Sequence, residues 1–283
     1  MEKNDRIVPA SSVPMYQVHG NHVDIVMDTD RFFNDYLNTV IHESSRVKGA
    51  ETEVQIDENR REVTGVAAVE YGDEDFGIQS FLAVNKPDGR LMFMGSFPYC
   101  YGKKIKVLIK KVWVWDTLLE AAIDCSVNGW GFTFFATDYF AHKDDYIPGK
   151  EVEVRIGALG MKVKEGMRGF SFEGQQAVDW LAKLGRKPSY DEKGEVKPVN
   201  FSMEKLVAFY STEQKCPDEV TFQSPAGEIR ERSLLGIDFF ETEILIFNYE
   251  FELSIPLIFR KDMLPNAKKD MPLSGWAWVT GAI

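Results

Sequence analysis

Apolar positions in this chain alternate with polar ones more often than they recur every three or four residues. Alternation of period two marks strands that bury one face. It runs through residues 62–71, 77–84, 90–97, 104–115, 121–127, 131–136, 151–156 and 161–164, and a shorter stretch, Val23 to Met27, predicts one more strand. Two turns punctuate this pattern. The run Asn85 to Gly89 joins two strands as a hairpin, and Asn128-Gly129 supplies the positive φ angles of a tight one.

Helical spacing is confined to three places. Phe33, Tyr36, Leu37, Val40 and Ile41 predict a helix over about 30–45, with side-chain oxygens of the Asp28 to Asp30 run to cap its start. Ala177, Trp180, Leu181 and Leu184 predict a second, closed by Gly185. A third, short helix is expected from Ser202, carrying Leu206, Val207 and Phe209. Residues 186–200 hold two prolines, a glycine and many charges, and read as a linker. Residues 1–14 read as a loose arm.

The pattern also repeats. Pro148 to Leu159 aligns without a gap on Pro272 to Ile283, and Glu120 to Val127 aligns on Glu241 to Asn248, each preceded by a bulky pair, Leu118-Leu119 and Phe239-Phe240. Three strands, a loop or short helix and further strands is the order of a small Greek-key barrel of the OB type. A duplicated module is one reading, and chance similarity between β-rich stretches is the other. The expected fold class is α+β and mostly β: an N-terminal α+β region (1–100), a β-barrel-like first copy (101–170), a helical connector with a linker (171–215) and a second copy (216–283).

Composition narrows the class. The 283 residues are 44% apolar and 27% charged, as in an ordinary globular protein, and the formal net charge is −11. That charge disfavours nucleic acid and anionic membranes and suits a basic protein partner. Cys100, Cys125 and Cys216 are odd in number and widely spaced, which argues against a disulfide framework or structural zinc and for a reducing compartment. The polar start shows no signal peptide, and the most apolar window, residues 244–259, carries Glu250 and Glu252. A cytoplasmic protein is expected.

Candidate chemistry is sparse. Asp138 and His142 could form a general acid–base pair, since a carboxylate orients an imidazole; a turn capped by Asp138 and packed by Tyr139, Phe140 and Tyr146 is the plainer account. His19, His22 and His42 could share a metal if Asp24 or Glu43 joined them, although the spacing matches no helical zinc site. The basic strip Lys103 to Lys111, followed by Trp113 and Trp115, could with Tyr139 stack bases or sugars. A lysine-protected edge strand explains it as well. No phosphate loop, dinucleotide fingerprint, serine elbow or calcium loop is present, and no cofactor is expected. The leading expectation is a non-catalytic interaction protein, immunity- or inhibitor-like by analogy of charge. Two alternatives remain: an enzyme acting on a small polar substrate through Asp138 and His142 or the N-terminal histidines, and an oligonucleotide or oligosaccharide binder.

Overall fold

The computed structural model describes residues 7–9, 22–57, 60–86, 88–211 and 216–283, and they are mostly β. In chain order the strands are β1 (Ile7–Pro9), β2 (Arg46–Asp57), β3 (Arg60–Gly72), β4 (Phe76–Asn85), β5 (Arg90–Cys100), β6 (Lys104–Val114), β7 (Ala121–Val127), β8 (Trp130–Ala136), β9 (Glu151–Glu165), β10 (Gly169–Phe172), β11 (Val199–Ser202), β12 (Ala208–Tyr210), β13 (Glu219–Pro225), β14 (Arg230–Leu234), β15 (Ile237–Asn248), β16 (Glu252–Arg260) and β17 (Pro272–Ala282). Helix α1 (29–42) contains a π turn at Phe32–Tyr36, and α2 (Tyr139–His142) and α3 (Gly174–Lys183) follow.

Strands β2 to β5 form an antiparallel meander. Its strand β4 is buried on both sides: Phe76 and Ile78 point one way, Phe81 and Ala83 the other, and all four belong to one apolar cluster. That cluster takes Phe32 and Val40 from α1, and Leu159, Phe239 and Trp278 from the larger sheet. Each fully buried phenylalanine here contributes about 1.5–3 kcal/mol, so the meander and the larger sheet share a core. Close approach needs a glycine at 157, where a Cβ would meet Cys100 Sγ at 2.6 Å.

In the larger sheet the order is β12-β13-β17-β8-β7-β6-β9-β16-β15-β14, with β17 also pairing β9. These pairings close two circuits. One runs β6-β7-β8-β17-β9 and back to β6. The other runs β9-β16-β15, crosses by the Ala226–Ile244 bridge next to β13, and returns through β17. Both contain the antiparallel pair β9–β17, and one apolar cluster fills the space they enclose. Strand β1, within the segment expected to be a loose arm, pairs in parallel with β6.

Several local expectations change. Val23–Ile25 is a 3₁₀ turn, because Val23, Ile25, Val26 and Met27 are all buried and leave no polar face to alternate. Residues 151–164 are one strand, kept continuous by pairing with β17. No helix starts at Ser202; Phe201 stacks on Phe170 at 4.9 Å in the β10–β11 ribbon and Phe209 pairs with Phe222, so cross-strand contacts override helical spacing. The acidic run Asp73 to Asp75 is an exposed turn between β3 and β4, and it also ties the two sheets together: it takes Arg155 through Glu74 (3.0 Å) and Asp75, and Arg232 through Asp73.

Candidate functional site

Strand β8 delivers Asp138 into the interior at the start of α2, where it is 1% exposed. One carboxylate oxygen accepts from the Tyr146 hydroxyl at 2.6 Å and the other from the Ile283 amide at 2.9 Å. His142 Nε2 stands 3.8 Å from the second oxygen, while its Nδ1 lies 3.2 Å from Asp145, which also takes Lys150 at 2.7 Å. Burial raises the Asp138 carboxyl pKa against the opposing pull of Tyr146 and His142. The residues singled out for acid–base work are thus in contact, and the carboxylate already satisfies two protein donors.

Next to them is a cavity of about 600 Å³ that brings Trp115 and Tyr139 together with Leu118, Lys143, Glu53 and Arg61. Lys143 Nζ donates to the Glu53 carbonyl at 3.1 Å and sits 5.9 Å from the Tyr139 ring. Burial lowers the Lys143 pKa against Glu53 and pushes the Tyr139 hydroxyl up to about 12. Neither Asp138 nor His142 lines this cavity. Trp113 also lies elsewhere: its Nε1 donates to Asp124 at 3.1 Å, Lys111 covers its ring at 3.6 Å, and it packs with Ala122 and Cys216. The lysines of the strip do not hold one parity, with Lys104, Lys106 and Lys110 on one and Lys103 and Lys111 on the other; Lys103 precedes β6, and a β-bulge between Ile109 and Lys111 explains the change at Lys111. Buried positions shift there from Val107 and Ile109 to Val112. Nor is β6 an edge, since β7 pairs one side and β9 and β1 share the other.

His19 lies outside the described residues. His22 is buried against Trp278 at 4.5 Å, with Nε2 3.5 Å from Glu219. His42 is exposed in the last turn of α1, beside exposed Glu43, and Asp24 is exposed in the 3₁₀ turn. Among the described residues no group of three or more His, Cys, Asp or Glu side chains could hold a metal ion.

A further feature was not singled out from the sequence. Residues 22–45 carry five acids, Asp24, Asp28, Asp30, Asp35 and Glu43, against one arginine, Arg31, and all five are exposed. Asp28 caps α1 by accepting from the Arg31 amide at 2.9 Å, and the Arg31 guanidinium donates to the Tyr36 hydroxyl. No cation pairs with Asp24, Asp30, Asp35 or Glu43 among the described residues. From the same helix Phe33 projects outward (36% exposed) and meets Phe93 (39%) edge-on at 6.0 Å, with Leu91 (64%) two residues along β5. The signal was present as a local excess of acid around an apolar helical position, and the charge total over the whole chain concealed it.

Comparison of the chain with protein-family models, with curated proteins and with solved structures returns no match. Among the described residues no helix is long and apolar enough to cross a membrane.

Proposed function

We propose that this chain is a non-catalytic binding protein that engages a basic protein partner through the face formed by α1 and the end of the meander. The observation that supports it is the company of four uncompensated carboxylates with an exposed apolar patch, Phe33, Leu91 and Phe93. Interfaces place apolar anchors at the centre and charges at the rim, where complementary charge speeds encounter and excludes wrong partners. The test is affinity capture with wild type, Phe33→Ala and the pair Asp30→Lys with Asp35→Lys, at low and high salt. A basic protein held by wild type at low salt, shed at high salt and lost by both variants is expected. Equal retention by the variants refutes the proposal.

A catalytic reading of Asp138 and His142 draws only on their 3.8 Å approach and requires the buried carboxylate to release Tyr146 or Ile283. The cytoplasmic setting stays part of the proposal.

We further read the larger sheet as a duplicated OB-like module. In support, β8 pairs β17 in parallel as β16 pairs β9, and β6 pairs β9 antiparallel as β13 pairs β17. An experimental structure whose β13, β15, β16 and β17 failed to superpose on β6, β7, β8 and β9 would sink this reading.

A further inference from the structure

Away from α1, four neighbouring strands present a second face of different chemistry. Across β12, β13, β17 and β9 one row reads Tyr210, Thr221, Trp276, Lys162, each residue directly opposite the next. The adjacent row reads Ala208, Gln223, Ser274, Lys164 in the same register. Residues two apart on a strand share a face, so all eight side chains point to one side, and they line a single cavity of about 480 Å³. Its concavity follows from size. Small side chains, Thr221, Ser274 and Ala208, make the floor, and Tyr210 and Trp276 rise on either side of Thr221.

Both rings are open to solvent, Tyr210 at 53% and Trp276 at 45%. Strands lie about 4.8 Å apart, so the two ring-bearing backbones stand two spacings from one another, with room for a flat ring between them. Lys162 lies one spacing beyond Trp276. Gly275 secures that approach, because a Cβ there would overlap the Lys162 carbonyl oxygen. Neither Lys162 nor Lys164 has an ion-pair partner among the described residues, whereas the nearby Glu165 and Glu204 are taken up by Arg168, at 2.6 and 3.6 Å. Two unneutralised ammonium groups beside aromatic walls call for a ligand that is anionic at one end and flat at the other. The net charge of −11 opposes a long polyanion, while a volume of this order suits a small molecule.

We infer that this face is a binding site for a nucleoside phosphate, its base against Trp276 and Tyr210 and its phosphate on Lys162 and Lys164. Thr221 and Ser274 offer hydroxyls to the sugar. This site and its ligand are independent of the protein-binding face at α1.

The experiment is calorimetric titration of the full chain with 5′-AMP, adenosine, inorganic phosphate and a short oligothymidylate, at about 50 and 300 mM salt, since screening separates the phosphate contribution. The expectation is saturable 5′-AMP binding that weakens with salt, with adenosine and phosphate each at least about tenfold weaker. Trp276→Ala should weaken 5′-AMP by about 5- to 150-fold, the range of one aromatic stacking contact. The double change Lys162→Gln with Lys164→Gln should weaken 5′-AMP about tenfold and leave adenosine unchanged. All these side chains are exposed, so the unfolding midpoints should match wild type; if Trp276→Ala shifts its midpoint, Tyr210→Ser replaces it. No binding of 5′-AMP at about 10 mM, or binding indifferent to both variants, overturns the inference. So does oligothymidylate binding more than about 100-fold tighter than 5′-AMP, which would make the face a single-strand path.

Discussion

Replacing Arg232 by alanine tests how the meander is fastened to the larger sheet. Arg232 on β14 reaches Asp73 in the β3–β4 turn and Glu241 on β15. Asp73 is also anchored by amides of Asp75 and Phe76, both at 2.9 Å, and its carbonyl accepts from the Tyr99 hydroxyl at 2.6 Å. The Asp73 carboxylate is 58% exposed, so its pair with Arg232 contributes at most about 1 kcal/mol. Glu241 is only 17% exposed, and a charged hydrogen bond lost there costs about 1.5 kcal/mol, partly offset by Arg230 at 3.9 Å. The sum is about 2 kcal/mol, or a fall in Tm of roughly 4–8 °C for a chain of this size. Urea unfolding at pH 7 of Arg232→Ala, Asp73→Ala and the double variant measures it, with a coupling near 1 kcal/mol expected from the cycle. Acid adds a check of sign. Burial would raise the Asp73 pKa, but the two amides and Arg232 more than offset it and hold the carboxyl below its ordinary 3.8. Its contribution is therefore present above about pH 4 and lost as pH falls further, so wild type and Arg232→Ala should converge in acid. A variant within about 0.3 kcal/mol of wild type at pH 7, or a difference that widens on acidification, refutes this account.

Asp138→Ala should cost about 2–3 kcal/mol, because the Tyr146 hydroxyl and Ile283 amide lose a buried acceptor, while His142→Ala, at a half-exposed position, should cost under about 1 kcal/mol; chemical unfolding of both variants compares them. Asn128→Ala should destabilise by about 1 kcal/mol, since residue 128 holds φ 48° in the β7–β8 turn and a left-handed backbone disfavours alanine; its thermal midpoint reports this. Cys100, Cys125 and Cys216 are not joined in disulfides and are buried, and burial pushes all three thiols up, so native protein at pH 8 should resist a thiol reagent that titrates three groups in denaturant.

Legibility in the sequence followed how far a segment depends on its own neighbours. The Asn128-Gly129 turn, the α1 cap at Asp28 and the left-handed Gly185 after α3 are local, and each stands where the pattern puts it. Strand β2 was missed because it edges the meander: Lys48, Glu51 and Glu53 face water, Val47 is 66% exposed, and only Thr52 and Val54 are buried, which leaves little alternation to detect. The parity change in the lysine strip was visible, but its cause, a bulge at Lys110, depends on the partner β7. Of the aromatic trio, Trp115 and Tyr139 meet only because the β8–α2 junction packs beside the end of β6, a contact between elements that periodicity does not encode.

The shared β9–β17 pair has a kinetic consequence. Strand β17 meets β8 at Thr280 and Phe135, close to 150 residues apart in sequence, and the same strand completes both circuits. Loop closure over such a span must precede the contacts that reward it, so neither ring can finish folding before 272–282 have joined. Partial opening of one ring would strip a strand from the other, which makes their loss a single cooperative event. Hydrogen exchange should then find the amides of β9 and β17 the slowest in the molecule and equal to each other, opening only with the whole chain.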